Sequence, residues 1–590
     1  MPHFSDELYR KTFHHTSAHI LAHAVKRLYP SVKLAIGPAI EDGFYYDFDH
    51  DDTFSPEDLI KIEDEMQQIV KEKIPLERFE LSRQEARALM DEKGETYKIE
   101  LIDDLPDDTI ISFYRQGDFV DLCSGPHLAS TEPVKAFKLT HTAGAYWRGN
   151  EKNKMLQRIY GVSFPDKKQL KIYLEQLEEA RKRDHNKLGR ELGFFTTTEY
   201  IGQGLPIMLP KGARVLQQLQ RFVEDEEEKR GYQLTKTPLM AKSDLYKISG
   251  HWYHYRDGMF ILGDQEQADT EEVLALRPMT CPFQFQAYLT RTRSYRDLPI
   301  RYAETSTLFR NEASGEMHGL IRLRQFTISE GHIICAPEHL ESEFKDSLDL
   351  ASFMLKSIGL DEDISYRFST WDPNNREKFI GAAEQWDLAQ NAMQGILKDL
   401  SIPYKVGFGE AAFYGPKLDI QIKNVFGKED TLITIQIDFQ LAERFQMTYI
   451  DRDGSKQHPM IIHRTSIGCY ERTLALLIEK YSGALPLWMA SEHARLLPIA
   501  ERHFDDAQKL ADQMRQAGLR VTVDDRNEKI GKKIREGQMD KLQYMFILGD
   551  REVTENSLSV RSRLDGDLGS LSVDSVVERL KREIDEKRVR

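Results

Sequence analysis

A cysteine and two histidines, Cys281, His332 and His463, are the residues of this chain with the clearest capacity for metal chemistry. A thiolate and two neutral imidazoles can hold a zinc ion and leave its fourth coordination position open, as catalytic sites do. The three residues lie far apart in the sequence, so their spacing matches no compact metal-binding signature. Taken one at a time, each would be interpreted as a buried thiol or a core imidazole.

Two strand-like segments joined by a polar loop carry charged residues that could bind a nucleotide. Alternate residues of a strand share a face, so Arg310 is expected to point with Glu312. Arg322 and Arg324 are expected to point together for the same reason. Arginines grip phosphates through two N–H groups, a carboxylate can accept from an adenine amino group, and Phe326 could stack on a base. A charged antiparallel hairpin with one solvated face is the alternative interpretation of this segment.

Two further elements could support an anion-binding site. A glycine-containing turn, Gly468 to Arg472, opens an apolar helix, and the N–H groups of a helix N-terminus favour anions. Arg472 in the first turn would add a donor. The second element is a helix followed by a strand-like segment and a proline, over Gly212 to Pro238. Each is a weak signal when it is considered alone.

The N-terminal region carries a second set of histidines. His15, His19 and His23 recur at every fourth position, which places them on one face of a helix. An acidic residue, a thiol and another imidazole follow later in the chain, at Asp121, Cys123 and His127. Composition alone favours a second metal site, and surface or core histidines are the alternative.

Whole-chain properties restrict the class of protein. A length of 590 residues indicates three to five domains at about 150 residues each. The net charge of −15 argues against a nonspecific nucleic-acid coat, although it does not exclude a specific one. The sequence has neither an apolar run near 18 residues nor a signal-type N-terminus, so we expect no membrane partner and a cytoplasmic location. Four dispersed cysteines fit a reducing compartment.

Periodicity indicates how the chain is divided. Apolar residues recur at helical spacing among many charges from Lys167 to Leu188, which predicts an exposed connecting helix. Strand-rich segments follow at 299–335 and 417–450, and helix and strand alternate after about 493, with strands expected at 519–523 and 544–548. We therefore predict domains at 1–165, 193–490 and 491–590, with 166–192 as the connecting helix.

Taken together in chain order, the Gly212 to Pro238 unit, the charged hairpin and the Gly468 to Arg472 turn resemble motifs 1, 2 and 3 of the class II aminoacyl-tRNA synthetases. The segments Arg277–Pro282, Gly409–Lys417 and Pro459–Arg464 narrow the resemblance to the threonyl-tRNA synthetase family, and it extends over essentially the whole chain. It implies a multidomain α+β and α/β fold. The parts are an N-terminal α+β editing domain, an antiparallel β-sheet catalytic core with helices, and a C-terminal α/β anticodon-binding domain. It also implies a homodimer formed through motif 1.

The resemblance implies ATP-dependent activation of L-threonine and its transfer to tRNA(Thr). It makes Cys281, His332 and His463 the ligands of one Zn²⁺ per subunit, with Mg²⁺ accompanying ATP. The residues implied in catalysis are Arg310, Lys417 and Arg472, those in ATP binding are Arg310, Glu312, Arg322, Phe326 and Arg472, and those in threonine binding are Tyr414, Glu330 and Gln436. An open zinc position that takes the amino group and the side-chain hydroxyl would reject valine. Serine has the same hydroxyl, so a second, hydrolytic site is needed.

The remaining implied sites are editing and anticodon recognition. In the family the editing domain hydrolyses seryl-tRNA without a metal, and the implied residues here are His15, His19, Tyr46, Lys98, Asp121, Cys123 and His127. Neutral histidines could act there as a general base or hold a water molecule. The implied anticodon readers are Asn527, Glu552 and Arg561, and an ordinary charged surface is the alternative for each of them.

The chain departs from the family pattern in two respects. The editing motif begins by His15, so the small ubiquitin-like domain found ahead of it in many members is expected to be missing. Three pocket positions also differ, since Ile328, Glu330 and Cys469 replace a Gln, an Asp and a Ser. The extra methylene of Glu330 moves a carboxylate that is expected to contact substrate.

Two other functions remain as alternatives. A synthetase for serine or proline is disfavoured by the Cys/His set and the editing motif. A catalytically inactive relative that acts as an RNA-binding regulator should have lost a phosphate-binding arginine or a zinc ligand, and this chain keeps Arg310, Arg472 and all three ligands.

Overall fold

The computed structural model describes residues 4–40, 43–107, 109–150, 152–263 and 272–589, which form two compact units. The first unit spans Met1–Glu179 and the second spans Ala180–Arg590. None of the helices in the described ranges is both long enough and apolar enough to cross a membrane.

The first unit combines helices with two antiparallel sheets. Its helices are α1 (Glu7–Leu28), α2 (Pro56–Lys71), α3 (Arg83–Glu92), α4 (Thr96–Asp104) and the start of α5 (Lys167–Arg183). Its strands are β1 (Lys33–Leu34), β2 (Ala39–Ile40), β3 (Gly43–Asp49), β4 (Leu76–Leu81), β5 (Ile111–Gln116), β6 (Phe119–Leu122), β7 (Ala136–Tyr146) and β8 (Met155–Phe164). One sheet has the order β1-β3-β8-β7, with β2 also on β3, and the other has the order β4-β5-β6.

Local sequence explains where two of these helices begin. Ser55 and Asp58 form a capping box before α2, and Pro56 occupies its first position, where no N–H donor is needed. Helix α1 is buried over most of its length, since every residue from Phe13 to Val25 is buried except His15, which is half-buried. It packs in the same apolar cluster as Phe44 and Phe48 of β3.

The connecting helix that the sequence predicts from Lys167 to Leu188 is two helices. Helix α5 ends at Arg183 and α6 (His185–Glu191) begins after Asp184. The carboxylate of Asp184 accepts the backbone N–H of Lys187 at 3.0 Å and so caps α6. Helical periodicity continues through the break, which is why the pattern alone does not reveal it.

The central part of the second unit is an eight-stranded sheet with helices. Its helices after α6 are α7 (Pro210–Lys229), α8 (Ser243–Ser249), α9 (His251–Tyr255), α10 (Cys281–Tyr288), α11 (Leu340–Ile358), α12 (Ala383–Asp399), α13 (Leu441–Arg444) and α14 (Tyr470–Lys480). Its short strands are β9 (Phe195–Thr196), β10 (Ile207–Met208), β11 (Gln233–Leu234), β12 (Met240–Lys242), β13 (Ile261–Leu262), β14 (Leu274–Leu276), β15 (Arg293–Ser294), β22 (Tyr449–Ile450) and β23 (Lys456–Gln457). Its longer strands are β16 (Ile300–Phe309), β17 (Gln325–Cys335), β18 (Ile364–Thr370), β19 (Tyr404–Phe408), β20 (Lys417–Lys423), β21 (Glu429–Asp438) and β24 (Met460–Cys469).

The order of the large sheet is β11-β16-β17-β24-β21-β20-β18-β19, and all its pairs are antiparallel except the two at its edges. Side chains alternate between its faces. On β21, Ile433, Ile435 and Ile437 are fully buried in the core cluster that includes residues of α7, α11 and α14. Thr434 and Gln436 point to the opposite face and line a cleft. The sheet therefore separates the apolar core from the polar site.

A smaller α/β part closes the chain. Its strands are β25 (Ala494–Pro498), β26 (Val521–Val523), β27 (Tyr544–Leu548), β28 (Ser557–Ser562) and β29 (Gly566–Ser572), and its helices are α15 (Phe504–Gln516), α16 (Ile530–Met539), α17 (Asp550–Glu555) and α18 (Val573–Asp585). The sheet order is β26-β25-β27-β28-β29, and the first three strands are parallel. The sequence prediction of an α/β ending is confirmed.

Two local predictions are wrong. The hairpin of β16 and β17 is present, but Arg310, Glu312, Arg322 and Arg324 lie in the segment between the strands, so strand alternation does not orient them. The glycine turn before α14 is part of β24, which continues to Cys469. A Cβ at Gly468, where φ is +75°, would lie 1.9 Å from the carbonyl oxygen of Leu432. This glycine permits close contact between strands and does not form a turn.

Candidate functional site

A cleft of about 1010 Å³ lies over the polar face of the large sheet. It brings together residues that the sequence scatters over almost two hundred positions. Every residue predicted for the catalytic domain lines it except His332, which is fully buried. The lining residues from that prediction are Cys281, Arg310, Glu312, Arg322, Phe326, Glu330, Tyr414, Lys417, Gln436, His463 and Arg472.

The arginines at one end of the cleft are held by backbone and carboxylate groups. Arg322 donates from Nε to Glu312 Oε2 at 2.8 Å and is also paired with Glu316. Arg472 donates to the carbonyl of Ile321 at 3.0 Å. Glu312 therefore contacts an arginine here, and binding of a phosphate by Arg322 has to compete with this ion pair. The guanidinium of Arg310 stands over the Phe326 ring, 5.2 Å from its centroid.

The Cys/His/His cluster is built from a helix start and two neighbouring strands. Cys281 begins α10, while His332 on β17 and His463 on β24 are direct cross-strand partners. One potential ligand atom from each residue lies within 4.8 Å of the other two. The two imidazole centroids are 4.6 Å apart. This spacing suits a shared metal ion.

Hydrogen bonds around the cluster engage one nitrogen of each imidazole and leave the other available to a metal ion. His332 Nδ1 contacts Gln284 Oε1 at 2.5 Å, and its Nε2 is buried without a hydrogen-bond partner. His463 Nε2 donates to Asp438 Oδ2 at 3.0 Å, which leaves Nδ1 available. Asp438 is itself fixed by the backbone N–H groups of Gln440 and Leu441. Supporting carboxylates of this kind orient metal-ligating histidines.

The other predicted contacts surround this cluster. The Tyr414 hydroxyl donates to Gln436, and the Tyr414 ring stacks on His463 at 4.9 Å. Lys417 pairs with Asp419. Glu330 accepts the backbone N–H of Thr280 at 3.2 Å, and its other oxygen is 3.7 Å from His332 Nε2. Burial raises the pKa of Glu330.

Sequence reasoning missed His251, which also lines the cleft. It begins α9, contacts Ser249 Oγ at 2.8 Å, and packs edge-on against Phe413. Burial and nearby positive groups lower its pKa to about 3, so the imidazole is neutral near neutral pH. The signal available in the sequence was a histidine after Gly250 in an aromatic segment, which is too common to single out.

The first unit forms a second thiol and imidazole cluster, made by His15 and His19 of α1 with Cys123 and His127. The Cys123 sulfur lies 3.3 Å from His15 Nε2 and 3.2 Å from His127 Nε2. Burial raises the pKa of the Cys123 thiol to about 12 and lowers the pKa of each of the three histidines. The thiol is therefore protonated and the imidazoles are neutral near pH 7.

Thr16 fixes the tautomer of His127. Its hydroxyl donates to the carbonyl of Thr12 at 2.9 Å, so toward His127 Nδ1, at 3.2 Å, the oxygen acts as an acceptor. His127 Nδ1 thus carries the proton and Nε2 presents a lone pair to Cys123. No pattern in the sequence indicates this contact.

A buried lysine and carboxylate lie beside this cluster. Lys98 is 2.6 Å from Asp121 Oδ1 and donates to the Tyr46 hydroxyl at 3.0 Å. Tyr46 in turn donates to Asp121 Oδ2 at 2.5 Å, and His19 Nε2 lies 3.6 Å from the same oxygen. All seven residues predicted for editing therefore belong to one connected group.

His23 does not join the group, although it occupies the same helical face. Its ring is held by Gln116 at 2.9 Å and Asp118 at 3.1 Å, and it stacks on Phe119. His23 lies about two helical turns after His15, so its side chain lies beyond the cluster. His23 is therefore a core histidine, as the alternative interpretation of this helix predicts.

The three residues predicted to read the anticodon lie on different elements. Asn527 is exposed after β26, and Glu552 lies in α17 after β27. These two strands are both parallel to β25, so the two residues lie at the same edge of the sheet. Glu552 also accepts the backbone N–H of Gly549 at 3.0 Å. Arg561 on β28 is paired with Met545 near the start of β27, toward the other edge.

Comparisons with known proteins agree with this architecture. Residues 264–481 match the tRNA synthetase class II core domain (G, H, P, S and T). Residues 493–583 match an anticodon binding domain, and residues 111–160 match the threonyl and alanyl tRNA synthetase second additional domain. The first match falls on the part of the chain that contains the large sheet, the second on the closing α/β part, and the third on the second half of the first unit.

Full-length relatives extend the match to nearly the whole chain. The chain is 60% identical over 572 residues to the threonine–tRNA ligase of Clostridium perfringens (strain SM101 / Type A), covering 97% of this chain and 88% of that protein. It is 48% identical over 581 residues to the threonine–tRNA ligase of Caldanaerobacter subterraneus subsp. tengcongensis, covering 98% and 88%. Among solved structures, the RNA binding domain of threonyl-tRNA synthetase from Cryptosporidium parvum Iowa II superposes with a TM-score of 0.64 at 32% identity. That match covers 68% of this chain and 98% of the other.

Proposed function

The chain belongs to the threonine–tRNA ligase family, and from that premise we propose that it activates L-threonine with ATP and attaches it to tRNA(Thr). In the first step the threonine carboxylate attacks the α-phosphorus and pyrophosphate leaves. In the second step a terminal ribose hydroxyl of the tRNA attacks the carbonyl carbon and AMP leaves. The observation that carries the proposal is a single cleft lined by phosphate-binding arginines and by residues of the Cys/His/His cluster.

The arginine end of the cleft is the proposed ATP site. Arg310 is assigned to the α-phosphate and the threonine carboxylate, and Arg322 and Arg472 to the outer phosphates with Mg²⁺. Phe326 offers an aromatic face for adenine, and Glu312 would accept from its amino group once Arg322 turns to a phosphate. Lys417 adds a positive charge near the reacting groups. Neutralising charge and aligning the groups in line are the main contributions a protein makes to such a transfer.

The Cys/His/His cluster fits a zinc ion. Its three donors, the unpartnered Nε2 of His332 and the carboxylate behind His463 are the features such a site requires. When bound, zinc supplies a Lewis-acidic position that can accept an amino group and a hydroxyl. Tyr414, Gln436 and Glu330 are the proposed neighbours of threonine, and the longer Glu330 side chain is held in place by Thr280.

We propose that the first unit hydrolyses mischarged seryl-tRNA(Thr). Support comes from the seven connected residues and from neutral imidazoles beside a protonated thiol. Lys98 and Asp121 would bind the charged and polar groups of the seryl ester, and the imidazoles would hold and deprotonate a water molecule. The domain limits 1–165, 166–192, 193–490 and 491–590 belong to this proposal.

The remaining partners follow from the same family. We propose that Asn527, Glu552 and Arg561 contact the anticodon, with the accessible edge beside Asn527 and Glu552 supporting two of the three. A homodimer formed through motif 1 is supported by exposed apolar side chains after α7, where Leu234 is 69% and Leu239 is 44% exposed. Free cysteines support a cytoplasmic location.

Amino-acid-dependent pyrophosphate exchange tests the activity directly. The purified chain should exchange with threonine, exchange weakly with serine, and show no exchange with valine, and it should contain one zinc ion per chain. Size-exclusion chromatography with light scattering should give twice the chain mass. Binding of tRNA without threonine-dependent exchange would instead support the inactive RNA-binding alternative.

A further inference from the structure

His185 is a buried histidine that the proposed chemistry does not use. It is the first residue of α6 and is completely buried. Together with Asp184 and Glu479 it offers donor atoms close enough for a cation. Both of its ring nitrogens are already engaged within the protein, however, so a metal ion is not the explanation for its position.

The hydrogen bonds of His185 define its tautomer. The backbone N–H of Leu320 donates to Nε2 at 3.2 Å, so Nε2 is an acceptor. Nδ1 therefore carries the proton and donates to Glu479 Oε1 at 2.7 Å. Glu479 lies on α14 and is nearly as buried as His185. One imidazole thus connects α6, the β16–β17 loop (residues 310–324) and α14.

The two partners of His185 lead directly to the proposed phosphate-binding arginines. Leu320 is two residues before Arg322, and the carbonyl of Ile321 between them accepts the Arg472 guanidinium at 3.0 Å. Arg472 lies in the first turn of the same helix that carries Glu479 in its last turn. The imidazole therefore fixes the loop against the helix at the place where both arginines are held.

The fit between the loop and α6 is close. Gly319 has a φ of +49°, and a Cβ at this position would lie 2.2 Å from His185 Nε2 and 2.4 Å from Asn186 Oδ1. The His318 and His185 rings pack edge-on with centroids 5.6 Å apart. A small displacement of the loop backbone would break the bond from Leu320.

We propose that His185 is a positioning residue for ATP, which aligns the loop carrying Arg322 with the helix carrying Arg472. The proposal rests on the ATP-dependent activity proposed above. It requires that changes at His185 affect ATP and leave threonine binding nearly unchanged, because the hydrogen bonds of this imidazole go to Glu479 and Leu320 and not to Cys281, His332 or His463.

Two variants separate the bonds of the imidazole. His185→Asn keeps a donor near the Nδ1 position and loses the acceptor for Leu320, whereas His185→Gln can place a carbonyl near the Nε2 position. In pyrophosphate exchange, His185→Asn should raise the KM for ATP about fivefold, the size expected from one lost hydrogen bond, with the KM for threonine within twofold. His185→Gln should lie closer to the wild type. Lys187→Ala, an exposed change on the same helix, is the matched control and should change neither value.

The outcomes that would overturn the proposal are a wild-type KM for ATP in His185→Asn, or equal increases in the KM values for ATP and threonine. If His185→Asn does not fold, Gly319→Ala moves the loop from the other side and should give the same selective increase for ATP. Calorimetric binding of a non-hydrolysable ATP analogue to the wild type and to His185→Asn is the second readout. It decides the role of His185 even if the wild type shows no threonine-dependent exchange, a result that would reject the proposed function alone.

Discussion

Two clusters of thiol and imidazole groups, one in each unit, contain nearly the same donor atoms and differ in their surroundings. The cluster of the first unit is His15, His19, Cys123 and His127, and that of the second is Cys281, His332 and His463. In both clusters all the potential ligand atoms lie within 4.8 Å of one another. The donor atoms alone therefore do not show which of the two clusters binds a metal ion.

The nearest carboxylate distinguishes them. Asp438 accepts from His463 and from two backbone N–H groups, so its charge supports an imidazole that can ligate a cation. Asp121 is instead bound to Lys98 at 2.6 Å and to Tyr46, and the lysine ammonium adds a positive charge beside the donors. A cation in the first cluster would be repelled by Lys98. We therefore expect the charge behind the ligands to favour metal binding in the second cluster and metal-free hydrolysis in the first.

The variant expected to have the largest effect on this comparison is His463→Ala. Removing one donor from the second cluster should lower threonine-dependent exchange roughly 10³-fold, as loss of a group that stabilises the transition state does, and should release zinc. Exchange kinetics and metal analysis of the same preparation check this. His458→Ala, an exposed histidine shortly before β24, is the control and should keep both activity and zinc. Full activity in His463→Ala would show that catalysis does not require the second cluster.

His19→Ala should give the reverse pattern. Deacylation of seryl-tRNA(Thr) should fall about 10²-fold, the lower end of the contribution of a general base, while threonine-dependent exchange stays within twofold. Release of serine from pre-charged tRNA is the measurement, and His141→Ala, an exposed histidine of the same unit, is the control. If exchange fell as steeply as deacylation, the division into two independent sites would be wrong.

Much of the fold could be predicted because its strands and helices have strong periodicity. The strands at 300–309 and 325–335 and the closing α/β part follow the predicted segments. The break at Asp184 could not be predicted, since it depends on a side chain that caps a new helix within a continuous apolar pattern. The loop position of Arg322 could not be predicted either, because ion pairs within the loop and not strand alternation hold it.

The site residues divide in the same way. The assignment of Cys281, His332 and His463 to one site depends on family resemblance, because their convergence depends on a strand register that no local pattern contains. His23 was included with its neighbours on helical spacing and lies outside the cluster, since it is bound by Gln116 and Asp118. Periodicity predicts which face a residue occupies but not which partner it meets there.

The supporting carboxylates provide the next test. Asp438→Asn should weaken zinc binding 10- to 100-fold, because the amide keeps the shape and loses the charge behind His463. Competition with a chromogenic chelator measures this affinity. Asp121→Asn is the matched change in the first cluster and should leave zinc content and affinity unaltered. A loss of zinc in Asp121→Asn would mean that the first cluster holds metal, and the contrast between the two carboxylates would fail.

Glu330→Asp should have a smaller effect, confined to the second cluster. The shorter side chain cannot keep both the bond to Thr280 and its position 3.7 Å from His332, so the KM for threonine should rise about threefold with zinc retained. Exchange kinetics at saturating ATP measure it, and seryl-tRNA deacylation serves as the internal control because it uses the other cluster. A lower KM for threonine would show that the added methylene of Glu330 hinders the substrate.

The smallest expected effect is the response of the first cluster to pH. Burial lowers the pKa of His15 and His127 and holds the pKa of His19 well below its ordinary value, so the His19 imidazole stays neutral as the pH falls below 6.5. The ratio of wild-type to His19→Ala deacylation rates should therefore change less than twofold between pH 7.5 and 6.0, with spontaneous ester hydrolysis subtracted at each pH. A histidine with an ordinary pKa of about 6.5 would be roughly three-quarters protonated at pH 6.0 and would lower the ratio about fourfold. Because the unfolded chain binds these protons first, stability also decreases as the pH falls through 6.5, and a thermal melt at pH 6.0 has to confirm that the protein is folded.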